Sequence, residues 1–98
     1  MKTLIVIDAQ NEFSEKGHRS VPGHANILAR IHWHVQRARE SGEPIAWVQH
    51  HNKPNESPAF IPGSLGAELS SGLGPNPGSV SEKLFQKGVF GAFLGTGL

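Results

Sequence analysis

The chain has 98 residues, 37% of them hydrophobic, and a net charge of +1 from 9 basic and 8 acidic side chains. That size suits one small domain with a marginal core, and scattered basic residues without a patch argue against a nucleic-acid partner. The lack of cysteine excludes disulfides, thiolate metal sites and a cysteine nucleophile within this sequence, and no apolar run approaches the roughly 20 residues of a membrane span.

The start, MKTLIVIDAQ, carries one lysine and an apolar run too short for a secretory signal, so a cytoplasmic location is the expectation. Thr3 to Asp8 reads as a strand. Its apolar residues are continuous rather than alternating, which predicts a strand covered on both faces, as in a parallel sheet. The polar stretch from Gln10 to Gly23 holds Gly17, Pro22 and Gly23 and reads as a loop. Ala25 to Ser41 reads as a helix, with Ile27, Leu28, Ile31, Val35 and Ala38 at helical spacing on one face. Arg30, Gln36, Arg37 and Glu40 fall off that stripe, and Gly42 sits where a left-handed residue ends a helix. Pro44 to Gln49 reads as a second strand, which completes a βαβ unit with parallel strands.

From His50 to about Ser79 the chain is irregular and rich in proline and glycine, and only Leu65 to Leu69 has the makings of a helical turn. Loops of that length in compact domains are lids or disordered segments. Val80 to Lys87 reads as a third strand, most clearly over LFQK. The closing GVFGAFLGTGL has too many glycines for a regular strand, and it reads as a tight turn leading to a helix with Thr96 as its N-cap. The expected fold is therefore α/β, a partial doubly wound, Rossmann-like parallel sheet of about three strands with one main helix. So short a sheet has open edges, which recruit further strand, and residues 1–98 read as the N-terminal part of one larger domain.

Ligands of open α/β sheets bind beyond the carboxyl ends of the strands. Asp8, the only aspartate, lies at such an end, as do His50 and His51 after the second strand and Lys87 after the third. A carboxylate and an ammonium at one sheet edge can set each other's charge and relay protons. Asp8 is equally readable as a turn former after its strand, and Lys83 competes with Lys87. His32 and His34 do not share a helix face, and adjacent His50 and His51 point to opposite sides of an extended chain, so no metal site is expected. Either of the latter two can line a pocket. Trp47 belongs to the core, and Phe13, Phe60, Phe90 and Phe93 are candidate pocket walls.

These segments resemble the isochorismatase-like cysteine hydrolases, which include nicotinamidases and N-carbamoylsarcosine amidases. LIVIDAQNEF is similar to the family's opening strand, hydrophobic residues followed by D-x-Q-N-D-F. ANILARIHWHVQRARESGEPIAWVQHH resembles its first helix and second strand, PGSLGAEL its G-[ST]-x-G-x-E-L turn, and KGVFGAFLGTGL its lysine-to-AF-x-GT-x-L motif. The resemblance implies that Asp8 is a catalytic base for a cysteine thiol and that Lys87, six residues before Phe93, is the catalytic lysine, with Lys83 the weaker match. It also implies that Gln10, Phe13 and His50 lie at the substrate pocket, and that the chemistry is covalent hydrolysis of a small amide or related C–N or ether substrate.

Three departures qualify that implication. The family's nucleophilic cysteine follows a fourth strand and has no counterpart in this sequence. Gly97 stands where an acidic residue is common. QHHNKPNESPAF lacks the D-x-H…H arrangement of metal-dependent nicotinamidases. The resemblance thus predicts the front of a hydrolase, inactive by itself, acting without a cofactor or metal on a small molecule. Nucleic-acid and membrane partners are not expected, and a homo-oligomer is possible. The rival expectation is a non-catalytic binding or assembly module. A third is a phosphotransfer or phosphatase domain built on Asp8, for which only Glu12 is a nearby acidic partner.

Overall fold

The structure, a computed structural model, describes residues 2–14, 17–52 and 58–88. Strand β1 runs over Leu4–Ile7, helix α1 over His24–Glu40, strand β2 over Ile45–His50 and strand β3 over Glu82–Lys87. A single 3-10 turn, Asn11–Phe13, follows β1. The three strands form one parallel sheet in the order β1-β2-β3. Leu4 pairs with Ile45 and Ile7 with Val48, while Ile45 pairs with Glu82 and His50 with Lys87. The α/β architecture, the strand count and the single main helix are those expected from the sequence.

The core sits between α1 and one face of the sheet. Val35 and Ala38 of the helix pack with Val6, Ala9, Ile45 and Trp47, and Leu4, Ile31, Leu69 and Leu73 close around them. Arg30, Gln36, Arg37 and Glu40 are exposed, as their place off the apolar stripe requires. Ile27, expected on the buried stripe, is 45% exposed, because the helix is covered only from its second turn onward. Gly42 does end α1 in a left-handed conformation, with φ 70°.

Three expectations need correction. β1 is covered on one face only: Val6 is buried, but Ile5 is 40% and Ile7 50% exposed. Its continuous apolar run predicted two covers, whereas α1 is the only helix among the described residues and it takes one face. Residues 65–69 make turns and a lone bridge from Leu69 to Gln10 rather than a helical segment. The third strand also begins later than read, since Val80 is 92% exposed and lies outside it. The tail motif with Phe90, Phe93, Thr96 and Gly97 falls outside the described residues, and no described helix is long and apolar enough to cross a membrane.

A buried carboxylate ties α1 to the sheet. Glu82 accepts two bonds from the Arg39 guanidinium, at 2.9 and 3.0 Å, and one from the Trp47 indole at 3.1 Å. The Arg39 bonds hold its carboxyl below the usual range, against burial, with further help from Trp47 and the Asn76 N–H. The folded state thus binds the Glu82 proton more weakly than the unfolded chain. This stabilisation is complete above the unfolded carboxylate pKa of about 4.3 and is lost as pH falls through the lower folded value. Glu82→Gln is expected to cost about 1.5–3 kcal/mol at neutral pH, the range for hydrogen bonds to charged groups. Urea midpoints compared at neutral and acid pH check this, because the variant's deficit shrinks in acid.

Candidate active site

Asp8 directly follows β1, and its backbone is left-handed with φ 58°. Few residues other than glycine tolerate that region, and aspartate is one of them. The kink is anchored by its N–H on the Val48 carbonyl at 2.9 Å and by its own carbonyl, which accepts the Gln10 N–H at 2.8 Å. It turns the carboxylate toward the end of β3, where Asp8 Oδ2 lies 3.4 Å from the Lys87 ammonium. The Lys87 side chain is almost wholly buried and that of Asp8 is 29% exposed. Asp8 Oδ1 is itself buried and has no hydrogen-bond partner among the described residues. Lys83 is exposed and pairs with Ala46 at the far end of the strand. The geometry therefore brings Lys87, and not Lys83, to Asp8.

His50 at the end of β2 completes the cluster. Its Nδ1 is 3.2 Å from Lys87 Nζ, and its Nε2 is 2.7 Å from Asn52 Oδ1. Phe60 stands edge-on to the His50 ring at 5.1 Å and against Phe13 at 5.3 Å, so these rings wall the cluster on one side. His51 is partly buried, and burial, with the adjacent His50, pulls its pKa below the usual histidine range. Among the described residues no three His, Asp or Glu side chains gather to hold a metal ion.

Gln10 shapes this floor from beneath. It is fully buried, donates to the carbonyls of His50 at 2.8 Å and Ala67 at 2.7 Å, and accepts the His50 N–H at 2.8 Å. Its amide is thus spent on backbone, and it joins the Asp8 turn to β2 and to the 65–70 segment. The same segment is zipped on by bonds from the Asn11 N–H to the Glu68 carbonyl and from the Glu12 N–H to the Gly66 carbonyl.

Two residues of the cluster's surroundings have roles that the sequence reading did not assign them. Asn52 orients His50. Glu12, 2% exposed, accepts the Phe60 N–H at 2.6 Å, the His18 N–H at 3.0 Å and the His18 ring at 2.8 Å. Burial pushes the Glu12 carboxyl up, but these bonds outweigh it and hold the group below the usual carboxylate range. The signal was present: Glu12 occupies the acidic position of the D-x-Q-N-D-F pattern. The PGSLGAEL stretch now has a physical reading too. Gly63 is left-handed, with φ 83°, and a methyl on Gly66 would land on the Glu12 carboxylate.

The chain's architecture is shared by solved proteins. It superposes on an isochorismatase from Pseudomonas putida KT2440 with a TM-score of 0.84 and 32% identity, covering 98% of this chain and 46% of that one. It matches the N-carbamoylsarcosine amidase of Thermoplasma acidophilum with a TM-score of 0.84 and 25% identity over 100% of this chain and 58% of that one. The nicotinamidase of Bacillus subtilis shares the fold, with a TM-score of 0.85 at 24% identity over 98% of this chain and 60% of the other. The chain therefore spans about half the length of these relatives. No curated protein matches its sequence significantly. The Isochorismatase domain profile matches residues 2–98, and with that match and the parallel sheet on which these structures superpose, the chain belongs to the isochorismatase family and carries its hydrolase fold.

Proposed function

We propose that the chain supplies the acid–base half of a cysteine-hydrolase active site that cleaves a small amide or a related C–N or ether bond. The observation that carries this reading is the state of the Asp8 carboxylate. One oxygen faces the Lys87 ammonium, and the other is buried without a partner among the described residues. A buried acceptor left unpaired costs about 1–3 kcal/mol, a cost that active sites tolerate where the acceptor takes part in chemistry.

In this reading Asp8 takes the proton of a cysteine thiol, which lies outside this cysteine-free chain. The thiolate attacks the substrate's carbonyl carbon, and protonated Asp8 returns the proton to the leaving nitrogen as the C–N bond breaks. Water then attacks the thioester, again losing its proton to Asp8, and the acid and the thiol are released. The Lys87 ammonium balances the negative charge that alternates between carboxylate and thiolate. The family membership and the likeness to an N-carbamoylsarcosine amidase support a carbamoyl or amide substrate.

Alone, the 98-residue chain is expected to turn over no amide, since it has no cysteine nucleophile. The purified chain offered small amides and carbamoyl compounds, with ammonia release measured, tests this. Ammonia release that disappears in Asp8→Asn would defeat the reading.

A further inference from the structure

We infer that His50 is a positioning residue for Lys87: a neutral imidazole locked as the Nε2–H tautomer, whose Nδ1 lone pair accepts a hydrogen bond from the Lys87 ammonium. The inference deepens the proposed acid–base role of Asp8 and Lys87 and rests on that reading for its catalytic meaning.

The tautomer follows from the partners. Asn52 Nδ2 donates to the Ala59 carbonyl at 3.0 Å, and Asn52 is held further by its own N–H on the Phe60 carbonyl at 2.8 Å. Turning the amide over would set Oδ1 against the Ala59 carbonyl, two acceptors face to face. The orientation is thereby fixed, and the atom 2.7 Å from His50 Nε2 is an oxygen that can only accept. Nε2 must therefore carry the proton. Nδ1, 3.2 Å from an ammonium that can only donate, must then be bare. A doubly protonated ring would put N–H against N–H at that contact.

The lock extends into the backbone. Gln10 grips both the N–H and the carbonyl of His50, and Phe60 packs edge-on to its ring. Gln10 fixes the backbone, and turning the ring would break its own contacts with Asn52, Lys87 and Phe60, so Nδ1 is held as an acceptor beside Lys87 Nζ. Among the described residues Lys87 thus meets the His50 Nδ1 acceptor and forms an ion pair with Asp8 Oδ2. Its ammonium stays on the Oδ2 side of the carboxylate and leaves Oδ1 for proton transfer.

Long-range ¹H–¹⁵N correlation of the ¹⁵N-labelled chain at neutral pH reads the tautomer directly, without turnover. The expected spectrum shows His50 with its proton on Nε2. A proton on Nδ1, on both nitrogens, or averaged over both overturns the inference. Two variants separate the acceptor from the ring. His50→Phe keeps the packing on Phe60 and removes the acceptor, and exchange of the Lys87 ammonium protons should quicken about tenfold or more, the loss of one hydrogen bond to a charged group. His50→Asn loses the ring but keeps an oxygen near the Nδ1 position, and exchange should stay near that of the unaltered chain. The opposite pattern, or equal rates in all three proteins, overturns the inference. Should either variant fail to fold, the tautomer of the unaltered chain decides alone. Failure of the hydrolase reading would leave these spectra unchanged, whereas a wrong tautomer would leave any dependence on Asp8 intact.

Discussion

Glu12→Ala is expected to remove about 3 kcal/mol or more of folding stability. The substitution strips the acceptor from two backbone N–H groups, those of His18 and Phe60, and from the His18 ring. The Phe60 N–H is buried, and a buried donor left unpaired costs about 1–3 kcal/mol, while the two bonds from the more exposed His18 to the carboxylate are each worth about 1.5–3 kcal/mol at most. A domain of this size has about 5–15 kcal/mol in total, so the variant approaches the edge of folding. Gly66→Ala should act similarly, because its methyl occupies the space of the Glu12 carboxylate. Glu12→Gln keeps an acceptor and should cost less than either. Urea unfolding followed by circular dichroism ranks the three. The pH dependence has a definite sign. Glu12 is held below the ordinary carboxylate value in the folded state, so the unfolded chain binds its proton more tightly. Its contribution is complete above the unfolded value of about 4.3 and declines as pH falls through the folded one. The alanine variant should therefore lose its disadvantage in acid. A deficit unchanged from pH 7 to pH 3 would show that Glu12 stabilises by packing alone.

The second large effect concerns chemistry. In a hybrid that joins this chain to the cysteine-bearing portion of a family hydrolase, Asp8→Asn is expected to lower kcat by about 10²–10⁴, the usual span for a general base. Asparagine is the informative replacement, since it tolerates the left-handed backbone with φ 58° that Asp8 adopts. Asp8→Ala would confound lost chemistry with a strained turn. Lys87→Met should lower kcat as well, whereas Lys83→Met should leave it near that of the unaltered hybrid, because Lys83 is exposed. A hybrid that hydrolyses its substrate equally well with Asn at position 8 would remove Asp8 from the mechanism.

Much of this arrangement is written in local pattern. The apolar stripe of α1 and the glycine after it locate the helix to within one residue at each end, and the parallel strands follow from the βαβ spacing. The meeting of Asp8 with Lys87 follows once both lie at carboxyl ends of parallel strands. What the sequence could not display is coverage. Ile5 and Ile7 have the composition of buried residues, but whether a second layer lies over them depends on chain far from β1. Nor could it display the partners of Glu12 and Asn52. A buried carboxylate is chosen by backbone N–H groups distant in sequence, and no periodicity records where those will stand.

The parallel sheet has a consequence for how the site comes into being. Gln10 and His50 are 40 residues apart, and His50 and Lys87 are 37 apart. No strand of this sheet can pair with a neighbour in a hairpin, so every ladder closes a long loop before it returns any stabilisation. High contact order of this kind makes for slow folding. The cluster takes Asp8 from just past β1, His50 from β2 and Lys87 from β3, and it therefore cannot assemble until both closures are complete. The Asp8–Lys87 pair is complete only when the whole sheet is, whereas the apolar face of Ile5 and Ile7 is set by β1 alone.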